Sequence, residues 1–262
     1  VHTPIQANKR LIEENKQRVA NTKFSGPASV KERDGQAKQW QDNAAFASMV
    51  QAMDENVGRL LAQVDSLGLA DNTVIVFTSD NGGLSTLKRA NAPTSNAPLR
   101  AGKGWCYEGG IRTPLIISAP GVTRGKSTCD FPVTSMDFYP TLLQLAGIDM
   151  KPDQHQDGIS LVPQLKGVRS QKRRALYWHY PHYHGSTWAP GAAIRFGDWK
   201  LIEFYEEDKV ELYNLKHDLS ETQDLADSEP DVANRLLARL HQWQKETGAK
   251  MPKPNPNFAS GR

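Results

Sequence analysis

Only two cysteines, Cys106 and Cys129, occur in 262 residues, too few to define a disulfide framework. They can pair, or stand as two free, partly buried thiols, which is the reading taken forward. No run approaches the roughly twenty apolar residues that a membrane helix needs. An excess of charge of one sign is missing too. Lys and Arg number 32 against 29 Asp and Glu, a net +3 with acids and bases interleaved. That balance is too mild to imply nucleic acid, although it does not oppose an anionic ligand. There is no internal repeat and no low-complexity segment. There is also no methionine before Met49; the chain opens Val1-His2-Thr3-Pro4, unlike an untrimmed translation product. The lack of an export signal is therefore uninformative. This length allows one large or two modest domains.

What is present centres on one junction. The apolar run Thr73-Val74-Ile75-Val76-Phe77 leads into Thr78-Ser79-Asp80-Asn81-Gly82-Gly83. Crowded Val, Ile and Phe bounded by turn residues predict a buried strand of an α/β sheet. Such sheets place ligands beyond the carboxyl ends of their strands. Asp80 and Asn81 carry hard oxygen donors at that position, and the glycine pair lets the backbone turn sharply. They can hold a hard cation or simply end the strand as an Asx-turn.

The rest of the chain reads in order. Residues 1 to about 35 are polar and predict an irregular loop. From Gln36 to Leu67, apolar residues at spacings of three and four predict one long amphipathic helix with Gly68 as its C-cap, its Asp54 and Glu55 solvated. Residues 84–101 read as a surface loop over the strand end. Leu115–Ser118 is a second strand, and Met136–Ala146 a helix with Ser135 as N-cap and Gly147 beyond its end. A Pro-containing connection runs from Lys151 to Gln171. After about Arg174 the segments Ala175–Tyr180, Ala192–Phe196, Trp199–Phe204 and Val210–Leu215 predict a small antiparallel sheet, with turn signals that include Glu206-Glu207-Asp208. A final helix from Pro230 presents Val232, Leu236, Leu237, Leu240 and Trp243 to that sheet, and the tail after Gly248 is Pro- and Asn-rich. The division predicted is 1–173 and 174–262.

An ordered set of motifs carries a resemblance. Thr78-Ser79-Asp80-Asn81-Gly82 is followed by Gly102-Lys103 and by Glu108-Gly109-Gly110-Ile111-Arg112-Thr113-Pro114. Then come Asp137-Phe138-Tyr139-Pro140-Thr141-Leu142-Leu143 and Asp157-Gly158-Ile159-Ser160-Leu161. Gly197-Asp198-Trp199-Lys200-Leu201-Ile202 and Glu211-Leu212-Tyr213-Asn214-Leu215 complete the set. Together, over nearly the whole chain, they resemble the formylglycine-dependent, arylsulfatase-like sulfatases of the alkaline phosphatase superfamily. The early C-x-P-S-R or S-x-P-S-R segment, whose Cys or Ser becomes the formylglycine nucleophile, has no counterpart. Cys106 precedes Tyr-Glu-Gly-Gly and Cys129 precedes Asp-Phe-Pro-Val. The acidic pair that supplies the family's other metal ligands is missing as well, so the chain reads as the C-terminal portion of a longer sulfatase. The implied fold is α/β, a partial alkaline-phosphatase-like fold with a small C-terminal sheet-and-helix subdomain.

The resemblance implies Ca²⁺, with Mg²⁺ possible on donor chemistry, at Asp80 and Asn81. It implies a sulfate-binding, catalytic role for Lys103, a compact ammonium between two glycines. His2, in an H-T-P setting, becomes the acid that protonates the leaving oxygen. Glu108 and Arg112 read as structural. His179, His182 and His184 have no grouped cysteine or carboxylate and do not read as a zinc site. His182, His184 and Trp188 instead suit the rim that selects a substrate, ordinary packing of a strand end being the alternative. The expected activity of the full enzyme is hydrolysis of sulfate monoesters on sulfated carbohydrates or small molecules, in the periplasm or outside the cell. A phosphonate or phosphodiester hydrolase of the same superfamily and a non-catalytic module are the rivals. Nothing in the sequence fixes the specific substrate or the oligomeric state.

Overall fold

The computed structural model describes residues 1–168, 173–207, 209–253 and 255–256. The far end of the Lys151–Gln171 connection, Asp208 of the acidic turn and the last residues of the tail lie outside the described residues. In chain order the elements are α1 (Ile12–Asn21), β1 (Ser29–Glu32), β2 (Gly35–Lys38), α2 (Ala44–Ser66), β3 (Ile75–Thr78), β4 (Thr86–Leu87), α3 (Glu108–Ile111), β5 (Leu115–Ser118), α4 (Phe138–Leu145), α5 (Val162–Leu165), β6 (Leu176–Tyr180), β7 (Gly191–Phe196), β8 (Trp199–Phe204), β9 (Lys209–Asn214) and α6 (Pro230–Glu246). The contacts gather into two units. One comprises Val1–Ala52, Asp80–Thr113 and Ala175–Arg262; the other comprises Met53–Ser79 and Pro114–Arg174.

The first unit is built on the sheet β6-β7-β8-β9, antiparallel throughout. Strand alternation sends Ala192, Ile194, Leu201 and Leu212 to one face, where they pack with Ala233, Leu236 and Leu240 of α6. Leu236 and Leu240 are fully buried, each worth about 1.5–3 kcal/mol of transfer free energy. Ala193, Ile202, Phe204 and Tyr213 point the other way, into an aromatic cluster with Trp105, Tyr107 and Trp188. The same unit holds α1 and the three-stranded sheet β1-β2-β4. This corrects the loop expected up to residue 35, and it moves the start of the long helix from Gln36 to Ala44. α1 carries few apolar side chains, so its period is faint. Buried Asn15, whose amide donates to the Leu11 carbonyl and to Gln51 Oε1, anchors it instead.

In the second unit, among the described residues, β3 pairs antiparallel with β5 alone, Ile75 opposite Ser118 through Thr78 opposite Leu115. The buried central strand expected here is thus half of a two-stranded ribbon, with Ile75, Val76 and Phe77 only half-buried. An apolar run without alternation cannot distinguish these arrangements. The cap before α4 is Thr134, not Ser135: Thr134 and Asp137 form a capping box around a single 3₁₀ turn. Asp137 is buried and pairs with Arg173 at 2.8 Å. No helix among the described residues is long and apolar enough to cross a membrane.

Candidate active site

Two turns of the first unit are stitched together by backbone. Lys103 N–H donates to the Gly83 carbonyl at 3.0 Å, and Gly82 N–H donates to the Gly110 carbonyl at 2.9 Å. Asn96 closes the seam: its side-chain amide donates to the carbonyls of Gly83 and Ala101, and its Oδ1 accepts from Gly83 N–H. The approach is so close that a Cβ on Gly82 would run into the Gly109 carbonyl, and one on Gly102 into the Gly83 carbonyl. The glycines of the N-G-G, G-K-G and E-G-G segments are therefore a single steric requirement. They seat the Asp80–Gly83 turn, the Lys103 turn and α3 on one another.

Lys103 emerges from this seam half-exposed. Its Nζ lies 3.0 Å from His2 Nε2, while His2 Nδ1 lies 2.6 Å from the Thr3 carbonyl. A carbonyl only accepts, so Nδ1 bears the proton and Nε2 offers its lone pair to the ammonium. His184 backs the same turn: a Cβ on Gly104 would collide with its ring. Its Nδ1 is 2.7 Å from Ser186 Oγ. Burial, with the neighbouring Lys103 charge adding to it, holds the His184 pKa below the usual histidine range. The imidazole is thus kept neutral beside a fixed cation.

Asp80 is exposed and Asn81 half-exposed; the Asn81 N–H donates to Asp80 Oδ1 at 3.1 Å, a contact between adjacent residues rather than the two-residue reach of an Asx-turn. Their oxygens suit a hard cation in chemistry, but they are two donors. Among the described residues no group of three or more His, Cys, Asp or Glu side chains could hold a metal ion. His182 is exposed and edge-on to Tyr180. Trp188 departs from the rim position expected of it. It is 1% exposed, wedged among Trp105, Tyr180 and Phe204, and its indole N–H donates to the Tyr180 carbonyl. A Cβ on Gly191 would lie 3.0 Å from the Trp188 ring, so that glycine leaves the space the indole fills. Both cysteines are free. Cys106 is fully buried, and burial pushes its thiol up to about 12, against a partial offset from Lys200; Cys129 is exposed.

Behind the Lys103 turn lies a charge cluster that no motif announced. Lys200 of β8, with no exposure, sits 2.8 Å from Glu221 Oε1 and 3.0 Å from Glu108 Oε1. Burial alone would raise the Glu108 carboxyl, but Lys200, Arg195 and Arg112 outweigh it and hold it below the usual range. Arg100 forks onto both oxygens of Glu32, at 2.7 and 2.8 Å, and lies over the Tyr107 ring. Glu211 accepts from the hydroxyls of Tyr107 and Tyr213. The signal for Lys200 was available in strand alternation, which puts it on the same inward face as Ile202 and Phe204.

Interlocked glycine turns thus present a lysine and a histidine together, beside a sheet backed by one helix. Solved neighbours of this chain include sulfatases with the alkaline-phosphatase-like fold. They include Ps i-CgsB in complex with k-i-k-neocarrahexaose, at TM-score 0.70 and 30% identity, covering 92% of this chain and 47% of that one. BT4656 in complex with its substrate D-glucosamine-2-N,6-O-disulfate matches at TM-score 0.66 and 31% identity, covering 80% and 41%. The sulfatase family pattern matches residues 1–148, and that of the N-sulphoglucosamine sulphohydrolase C-terminal region matches residues 101–246. The chain belongs to the sulfatase family. A sulfatase of Formosa agariphila is 36% identical over 224 residues, 76% of this chain and 39% of the relative. The N-acetylglucosamine-6-O-sulfatase of Bacteroides thetaiotaomicron is 34% identical over 214 residues, 77% of this chain and 35% of the relative. The chain thus spans well under two thirds of the length of these relatives.

Proposed function

We propose that this chain supplies the sulfate-gripping part of a sulfuric ester hydrolase acting on sulfated glycans, in the periplasm or outside the cell. The observation that carries the reading is the Lys103–His2 contact, on a turn locked to Asp80 and Asn81 in a chain of this family. Lys103 Nζ gives its hydrogen bonds to the sulfate oxygens. Once it does, His2 Nε2 is released from the ammonium, takes up a proton from water and can hand that proton to the leaving alkoxide. Neutral His184 adds a donor without repelling the lysine. Asp80 and Asn81 would hold a Ca²⁺ ion together with groups outside these residues, and that ion with a formylglycine nucleophile would supply Lewis-acid and nucleophilic chemistry at the sulfate. Glycans are favoured as substrate because relatives on both sides of the comparison bear sulfated-sugar names or ligands. Exposed His182 is placed to meet the sugar.

Titrating the 262-residue chain with N-acetylglucosamine 6-sulfate and with the unsulfated sugar, followed by NMR, tests this. The sulfated sugar alone should shift the His2 and His184 signals, and Lys103→Ala should abolish the shift. Equal responses to both sugars, or an unaltered response in the variant, would sink the reading.

A further inference from the structure

We infer that Glu221, in the loop after β9, is the positioning residue for Lys103: it ties the strand-rich part of the chain to both ends of the segment that carries the lysine. Glu221 is wholly buried, and its backbone sits at φ +52, a left-handed conformation that a glutamate adopts at a cost. Three of its atoms reach three different groups. Oε2 accepts the Glu108 N–H at 2.6 Å, fixing the start of α3, five residues after Lys103. Oε1 faces the Lys200 ammonium at 2.8 Å, whose other partner is the Glu108 carboxylate itself. The backbone carbonyl accepts from Arg100 Nη1 at 2.9 Å, three residues before Lys103.

Between these two anchor points the chain runs through Ala101, itself left-handed at φ +53, and then Gly102, Lys103 and Gly104. Arg100 and α3 are also joined directly, the Gly109 N–H donating to the Arg100 carbonyl at 2.9 Å. The lysine therefore stands on a short arch whose two feet are held by one buried residue, α3 through its carboxylate and Arg100 through its backbone carbonyl. An arch that includes a left-handed alanine, anchored to a left-handed glutamate outside it, keeps its shape only while its feet are held. A charge buried this deeply is costly unless paired; here the pairing coincides with the arch that aims Lys103. Glu221 touches no reacting atom, so its effect passes through that arch.

This inference rests on Lys103 binding sulfate, and the experiment separates the two claims. The 262-residue chain, with labelled histidines, is titrated by NMR first with pH and then with inorganic sulfate, as native chain and as Glu221→Gln. Gln keeps the shape and one acceptor but removes the charge. The expected result is a folded variant in which the low His184 midpoint moves up toward the ordinary histidine value, as Lys103 swings away and the ring opens to water. Sulfate binding should weaken by about tenfold, the size typical of losing an outer support; Glu221→Asp, which retains the carboxylate, should recover part of it. Native values for both the midpoint and the affinity in E221Q would overturn the inference. If the native chain itself ignores sulfate, the proposed function fails, and the His184 midpoint alone still judges the positioning role. Should E221Q not fold, the pair Lys200→Met with Glu221→Gln, which removes one charge of each sign, is read in the same way.

Discussion

His182 and Trp188 lie six residues apart on one loop, yet their environments assign them opposite work. His182 is exposed and stands edge-on to Tyr180. Trp188 is sealed in the aromatic cluster and its indole nitrogen is satisfied. Trp188→Ala should cost about 3–5 kcal/mol of stability, since a large buried ring leaves a cavity the surroundings only partly refill. His182→Ala should change stability by about 0.5 kcal/mol or less and act only on glycan affinity. Denaturant unfolding of both variants checks this. A mild loss in Trp188→Ala would mean the loop opens and the indole is not core. Both residues looked alike in the sequence, because an aromatic-rich loop does not show which ring has a cavity waiting. That information lies in Gly191, where a Cβ would crowd the indole at 3.0 Å.

At the scale of elements, the sheet and α6 were legible to within a residue or two. Each strand alternates, turn residues separate them, and Leu236 and Leu240 mark the covered face of the helix. Hidden were α1 and the β1–β2 hairpin, whose apolar content is too thin for periodicity to register. The antiparallel β3–β5 pairing was hidden too, because its partners are thirty-seven positions apart in sequence (Thr78 to Leu115). The Asp80, Asn81 and Lys103 turns were legible from motif order, but their interlocking needed coordinates. So did the buried charges joining β8, β9 and α3. These charges give the elements a pH signature. Burial would raise the Glu211 carboxyl, but the Tyr107 and Tyr213 hydroxyls, with Arg100, together hold it below its ordinary value of 4.5, and Glu108 is lowered likewise. Carboxyls lowered on folding contribute stability that is complete above about 4.5 and lost as pH falls through their folded values. Glu221 acts the other way: burial raises it, so acid stabilises the fold through that group, at pH above 4.5. Between pH 7 and 5 that gain opposes the loss from His184, lowered from 6.5, so thermal midpoints should change little there and fall below 4.5. Glu211→Gln should be less stable at neutral pH and show a shallower acid loss. A variant whose acid slope equals the native one would remove Glu211 from the account.

For the whole molecule, the chain's residues set what it can do unaided. Sulfate monoesters cleave so slowly that an enzyme must remove on the order of 20 kcal/mol of barrier. A lysine and a histidine can hold charge and move a proton, contributions typically worth a few orders of magnitude in rate. Covalent attack is what they cannot supply. Cys106 is enclosed by the aromatic cluster, and a thiol pushed up to about 12 is protonated at any physiological pH. Cys129 is exposed but belongs to the other unit from Lys103, and the sequence around it, Cys-Asp-Phe-Pro, is not that of the formylglycine precursor. Two oxygen donors at Asp80 and Asn81 also fall short of the six to eight that Ca²⁺ takes. The 262-residue chain should accordingly bind sulfate through Lys103 yet turn over no aryl sulfate, with or without added Ca²⁺. The assay is continuous release of a chromogenic phenol by the purified chain. Multiple turnovers that vanish in Lys103→Ala would reveal a nucleophile within these residues and require a different mechanism for the site.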